Sequence, residues 1–207
     1  MSAAPSQAVR CPPLLLAGGG QGTLVSEAGP ALLPFFTTAD ACALRLVCKE
    51  LRAAVREHPW EDMDTVIEGS IAAWRACFPR ARSANVQRPV FLPPPGRDVV
   101  DADFAHLEGL RELHLEGCQR VSDAAFAHLR GIHTLNMNNC RQHRITDAAF
   151  AHLRGIHTLR MSYCSQPTIT DAAFAHLRGV RVLTMLDCSD AALRAARARG
   201  LPVCLVG

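Results

Sequence analysis

The nine-residue phrase DAAFAHLRG is written three times in the chain, at residues 123–131, 147–155 and 171–179, and a looser copy, DADFAHLEG, occupies residues 101–109. Their starts are 22, 24 and 24 residues apart. A near-fixed period in this range marks a stack of small units, each able to bury its apolar face only against its neighbours. The phrase therefore decides the architecture of the C-terminal half. It also turns the functional question away from catalysis and toward surfaces.

Aligning on the phrase exposes a longer unit. Leu110, Leu113, Leu115 and Cys118 are followed by Val121-Ser122-Asp123, Phe126 and Leu129. The same order returns as Ile132, Leu135, Met137, Cys140, Ile145-Thr146-Asp147, Phe150 and Leu153, and again as Ile156, Leu159, Met161, Cys164, Ile169-Thr170-Asp171, Phe174 and Leu177. A fourth copy, Val180, Leu183, Met185 and Cys188, runs into Ser189-Asp190 and Leu193. Apolar residues two apart around Leu113 and its counterparts predict a short strand, and apolar residues three apart from 123 to 129 predict a helix. Ser122, Thr146 and Thr170 stand at the helix N-cap, and Gly109, Gly131, Gly155 and Gly179 at the left-handed stop after the helix. Residues 90–92 are expected to form a first, irregular strand. Residues 191–199, arginine-rich and lacking the Phe, read as a closing helix, and residues 201–205 as a last strand.

The unit L-x-x-L-x-L-x-x-C-x-x-I-T-D-x-x-L resembles the cysteine-containing subtype of leucine-rich repeat. The resemblance covers residue 90 onward and implies an α/β solenoid, a horseshoe with parallel strands on the concave side and helices on the convex side. Two copies depart from it by two extra residues between Cys and Ile, which places small loops on one rim.

Three columns of repeated polar residues need a reading. Cys118, Cys140, Cys164 and Cys188 form a row about 4.8 Å apart, which does not converge tetrahedrally on one zinc. They read as buried thiols. His106, His128, His152 and His176 form a second row, with His133 and His157 beside the strands; they read as histidines on a solvated face. The Asp column reads as a capping device. No metal and no cofactor is expected.

The framework positions scarcely change from copy to copy, whereas the solvent-facing strand positions do. They are Glu112, His114 and Glu116; Thr134, Asn136 and Asn138; Thr158, Arg160 and Ser162 with Tyr163; and Val182, Thr184 and Leu186. This concave face is the candidate substrate-binding surface. Drift at positions that packing leaves unconstrained accounts for the same variation, and the sequence does not separate the two.

The N-terminal half divides into a leader (1–30), a helical region (31–79) and a proline-bearing connector (80–96) ahead of the repeats (97–207). The leader, with one very short apolar run, reads as disordered rather than as a signal peptide. Thr38 or Asp40 caps a predicted helix that holds Leu44 and Val47, and Val47, Leu51 and Val55 continue one apolar stripe. A second amphipathic helix is predicted over 65–78. Leu32, Pro34, Asp40, Leu44, Val47-Cys48-Lys49, Leu51-Arg52 and Trp60 resemble the C-terminal part of an F-box. That resemblance implies that Leu32, Pro34, Leu44, Val47, Cys48 and Leu51 bind a Skp-type adaptor, attaching the chain to a cullin–RING ubiquitin ligase of the SCF type. Phe35-Phe36-Thr37 stands where the family continues its helix. The other reading is a helical cap over the first repeat.

Composition excludes more than it assigns. The net charge of +3 suggests neither nucleic acid nor membrane surface as a partner, and no apolar run approaches the roughly 20 residues of a membrane span. Nine cysteines without a secretory signal imply a reducing compartment, cytoplasmic or nuclear. No nucleophile–base set appears, and Gly18-Gly19-Gly20-Gln21-Gly22 lacks the Lys-Ser/Thr of a phosphate loop. The expected function is non-enzymatic recognition of an unidentified protein substrate, with a plain interaction scaffold as the alternative.

Overall fold

Each repeat unit contributes one three-residue strand and one helical turn. The structure, a computed structural model, describes residues 32–87 and 98–205. Strands β1 (Ser83–Asn85), β2 (Glu112–His114), β3 (Thr134–Asn136), β4 (Thr158–Arg160), β5 (Val182–Thr184) and β6 (Val203–Cys204) form one parallel sheet in sequence order. The register aligns Ala84, Leu113, Leu135, Leu159, Leu183 and Val203 on one face. That face is buried against the helical layer. There Phe104, Phe126, Phe150 and Phe174 are fully enclosed, and the Phe150 and Phe174 rings lie 6.3 Å apart. The result is an α/β repeat stack with one continuous core.

The predicted repeat helices are present but tight. Each begins as one α turn (α4, Asp123–Phe126; α5, Asp147–Phe150; α6, Asp171–Phe174), and the first two finish as 3₁₀ turns at Ala127–Leu129 and Ala151–Leu153. Ser122, Thr146 and Thr170 cap them by accepting from the amide two residues on. The glycines that follow hold φ between 76° and 90°. A Cβ at Gly131, Gly155 or Gly179 meets nothing within 4 Å, so the backbone conformation, not space, is what calls for glycine there.

The aspartates expected to cap do not cap their own helices, a role the Ser and Thr before them fill; their carboxylates reach the next unit instead. Asp101 accepts from the backbone N and the hydroxyl of Ser122 at 2.7 and 2.6 Å. Asp123 takes both from Thr146 at 2.7 Å, and Asp147 both from Thr170 at 2.7 and 2.6 Å. Each unit thus grips the cap residue of the next. The thiols form a second ladder, running backward: Cys118, Cys140, Cys164 and Cys188 donate to the carbonyls of Val86, Leu115, Met137 and Met161.

Burial pushes the Cys140 thiol well up and the Cys164 thiol up to about 12. A thiol whose native pKa exceeds its unfolded value contributes stability that is fully present below the unfolded pKa and is lost as pH rises toward the native one. Stability is therefore expected to hold to about pH 9 and to fall above it. In a thiol-reagent time course at neutral pH, exposed Cys204 should react at once and Cys140 and Cys164 only at the rate of unfolding. Immediate labelling of Cys164 would contradict this arrangement.

In the N-terminal region the single stripe expected through Val47, Leu51 and Val55 is two helices. Helix α1 (Thr38–Leu44) has a capping box between Thr37 and Asp40, and α2 (Lys49–Glu57) starts afresh from Cys48, whose Sγ accepts from Leu51 N. The turn at 45–47 breaks the periodicity. Leu51 and Val55 face the core, while Val47 turns outward. The helix predicted over 65–78 is only α3 (Ile71–Cys77), capped by Ser70. Its expected first turn is extended, with Val66 bridged to Asn85 of β1. Ile67 N donates to Asn85 O, and Asn85 Nδ2 to Met63 O.

Strand β1 lies inside the stretch read as a connector. Its residues are all buried, because the N-terminal segment covers it. The strand expected at 90–92 and the leader lie outside the described residues. Trp60 welds the two halves. Its indole donates to Val55 O, and its carbonyl accepts from the amides of Arg82 and Ser83 at the entry to β1. Asp62 ties α1 to this segment by accepting from Thr38 N and Oγ1 at 2.6 and 2.7 Å. Burial disfavours its charge, but the bonds from Thr38, Thr65 and Asp64 prevail and hold the carboxyl below its usual value.

Candidate functional site

The strand residues that flank the buried leucines form the open face of the sheet. The register sets Glu112, Thr134, Thr158 and Val182 in one row, and Asn85, His114, Asn136, Arg160, Thr184 and Cys204 in the next. Glu116, Asn138, Ser162 and Leu186 continue beyond the strands. The sequence expectation treats all of these as solvent-facing, and part of it fails. Asn136, Ser162 and Thr184 are only 5, 3 and 6% exposed. Asn138 Oδ1 accepts from Ser162 N and Ser162 Oγ from Leu186 N, while Asn136 Oδ1 accepts from Asn138 N within its own unit. Those side chains close the backbone where the strands end. The residues left accessible are Glu112, His114, Glu116, Thr134, Asn138, Thr158, Arg160, Tyr163, Val182 and Leu186.

Charge on this face is mixed. Burial lowers the pKa of His114, against the pull of Glu112, whose Oε1 lies 3.6 Å from Nε2; nearby Arg160 adds to the lowering. His114 therefore presents a neutral imidazole at physiological pH.

Tyr163 is the unusual member. Gly117, Asn139, Tyr163 and Asp187 hold equivalent places before the column cysteines, and all four have positive φ, at 74°, 57°, 61° and 51°. Gly, Asn and Asp tolerate this conformation, whereas a tyrosine is strained in it by about 1 kcal/mol. Sequence reasoning missed the column because its members share no residue type. Tyr163→Asn is expected to raise the melting temperature by about 2–4 °C, read by calorimetry. An unchanged or lower melting temperature would show that the ring's packing offsets the strain.

The F-box-like residues divide between core and surface. Leu51 is buried, Leu44 and Cys48 are half-buried, and Leu32, Pro34 and Val47 are exposed. Phe35 is 83% and Val47 66% exposed, with Phe36 and Leu46 also open, so large apolar side chains stand at both ends of α1. Phe35, Phe36 and Leu46 belong to this surface, although the sequence marks Phe35 and Phe36 only as a departure from the family's helix and gives no sign of Leu46. The signal available was Phe35-Phe36 itself, an aromatic pair with no periodic partner. Between α1, the extended segment and α3 lies a cleft of about 410 Å³ lined by Thr38, Cys42, Ile67, Trp74 and Phe78 among others. Among the described residues no helix is long and apolar enough to cross a membrane.

The units of 22–24 residues, each with one strand and one short helix, make this an α/β repeat protein. No protein-family model matches the chain, and no curated protein matches it. Among solved structures it is similar to a chain of the TLR13–ssRNA13 complex, at 18% identity and a TM-score of 0.46, covering 68% of this chain and 20% of that one. It is also similar to a chain of the Rad7 and Elc1 complex in yeast, at 13% identity and a TM-score of 0.48, covering 75% of this chain and 43% of that one. The chain thus spans less than half the length of either.

Proposed function

We propose that this chain is a non-enzymatic protein-interaction module of leucine-rich-repeat type, a horseshoe whose N-terminal helices dock a Skp-type adaptor and whose sheet face receives a protein substrate for a cullin–RING ubiquitin ligase. The observation that carries the reading is the division of the F-box-like segment. Leu51, Val55 and Trp60 anchor it to the core, while Phe35, Leu46 and Val47 remain in water. Large apolar side chains exposed beside a well-filled core mark an interaction surface. Such a subunit performs no chemistry; it raises the effective concentration of substrate at the ligase.

The welding of Trp60 to Arg82 and Ser83 supports a second reading, in which the helices only cap the stack. Retention on an immobilised Skp-type adaptor under reducing conditions separates the two. Wild type should be retained, and Phe35→Ser with Val47→Asp should be lost without a change in thermal stability, since both positions are exposed. Failure of the wild type to bind leaves the capping role alone.

A further inference from the structure

The strands all begin at one edge of the sheet, and that edge is cationic. Backbone bonds from unit to unit set Arg82, Arg111, His133, His157 and Arg181 in a row: the amide of each donates to the carbonyl of the one before, at 2.6–3.0 Å. Neighbouring strands are about 4.8 Å apart, so the row runs about 20 Å. A second row lies beside it. Arg130, Arg154 and Arg178 close the helical turns, three residues before His133, His157 and Arg181, and all three are exposed.

The two rows are short of counter-charge. Among the described residues, none of Arg111, Arg130, Arg154, Arg178 and Arg181 forms a salt bridge; Arg154 only reaches His176, at 3.4 Å. Arg82 pairs with Glu61 at one end of the first row. In the first unit Glu108 takes the place of the second-row arginine and pairs with His128 at 2.6 Å, which marks where that row stops being basic. The His133 and His157 rings stack at 4.0 Å with 13° between planes, making the middle of the first row a flat imidazole surface. Asp123 and Asp147 sit at the opposite edge, bound by Thr146 and Thr170. The modest overall charge of +3 hides this separation. Helix-end complementarity accounts for a cation in each last turn. It does not account for Arg111 and Arg181, which lie beyond the stop glycine.

We propose that this edge is a docking rim for an acidic segment of a partner polypeptide. Guanidinium groups engage carboxylates in paired, planar fashion. An extended chain places same-side residues about 6.6 Å apart, so about three or four carboxylates lie along the 20 Å row. Among the described residues the rim carries no Phe, Tyr or Trp, its one ring surface for a base is the His133–His157 pair, and the low net charge gives little general attraction for a phosphate backbone. The proposal stands apart from the adaptor reading, since it uses neither α1 nor α2.

Fluorescence polarisation with the whole chain tests it. The probes are a labelled peptide of alternating Glu and Ser, its Gln counterpart, and a single-stranded RNA of equal length. The Glu peptide should bind with an affinity that falls as salt rises, and the Gln peptide should not bind. The combination Arg130→Gln, Arg154→Gln and Arg178→Gln should weaken the Glu peptide about tenfold, as three exposed ion pairs imply. Arg111→Gln with Arg181→Gln tests the first row independently should the triple variant fail to fold. Arg144→Gln, on the opposite edge, should change nothing. Absence of Glu-peptide binding at low salt, tighter binding of the RNA, or an equal loss in Arg144→Gln each overturns the proposal.

Discussion

Replacing Phe150 with alanine is expected to destabilise the protein by about 3–5 kcal/mol, the largest effect of any single truncation in the repeats. Phe150 is fully enclosed and stands between the helical turns of its neighbours, with the Phe174 ring 6.3 Å away. Its loss removes apolar burial from its own unit and opens a cavity that flanking units, fixed by the sheet, cannot collapse to fill. In a stack each unit is held mainly by its neighbours, so the damage should also reduce cooperativity. Urea denaturation should show an earlier midpoint and a broadened or two-step transition, with units C-terminal to residue 150 losing protection first. A loss below about 1 kcal/mol would mean that the ring is not a keystone of the helical layer.

Asp123→Ala is expected to cost about 2–3 kcal/mol, although the residue lies in a helical first turn where an acid adds only a few tenths to dipole energetics. The reason is the ladder. Asp123 holds both the amide and the hydroxyl of Thr146 at 2.7 Å, and alanine leaves both donors without that partner. Thr146→Val removes the hydroxyl's bond to Asp123 and also the cap bond it accepts from Ala148 N, and should cost about as much. The double variant should cost less than the sum of the singles, because the hydroxyl bond is lost only once. Thermal unfolding of the four proteins provides the cycle. Strict additivity would show that the two side chains do not act through each other.

The parts of this fold legible in the sequence are those that packing enforces locally. Leu113, Leu135, Leu159 and Leu183 alternate with polar neighbours, so their strands announce themselves. Ser122, Thr146 and Thr170 precede a helical spacing, so their capping role does too. The Asp ladder is illegible within one unit because its partners lie 21–23 residues away, and no periodicity within a unit reports a bond to the next. Strand β1 is illegible for the opposite reason. Ser83, Ala84 and Asn85 share no pattern with the repeats, and they form a strand because β2 pairs with them on one side while Met63, Val66 and Ile67 meet Asn85 on the other.

The candidate surfaces were harder to read. The stripe Val47, Leu51 and Val55 looked continuous, yet Cys48 restarts the helix and sends Val47 to solvent. Asn136, Ser162 and Thr184 occupy strand-flanking positions that differ between copies, as recognition residues would, and yet they are buried. The arginines and histidines of the sheet edge belong to different units, and only the unit-to-unit backbone bonds set them side by side.

The proposed function divides the labour, with adaptor docking on the N-terminal helical segment and recognition on the sheet. Hydrogen exchange of the full chain, with and without a Skp-type adaptor, tests it most directly. The account predicts slowed exchange across residues 32–51 and none across strands β2 to β5. Unchanged exchange at 32–51, or protection centred on the sheet, would contradict it.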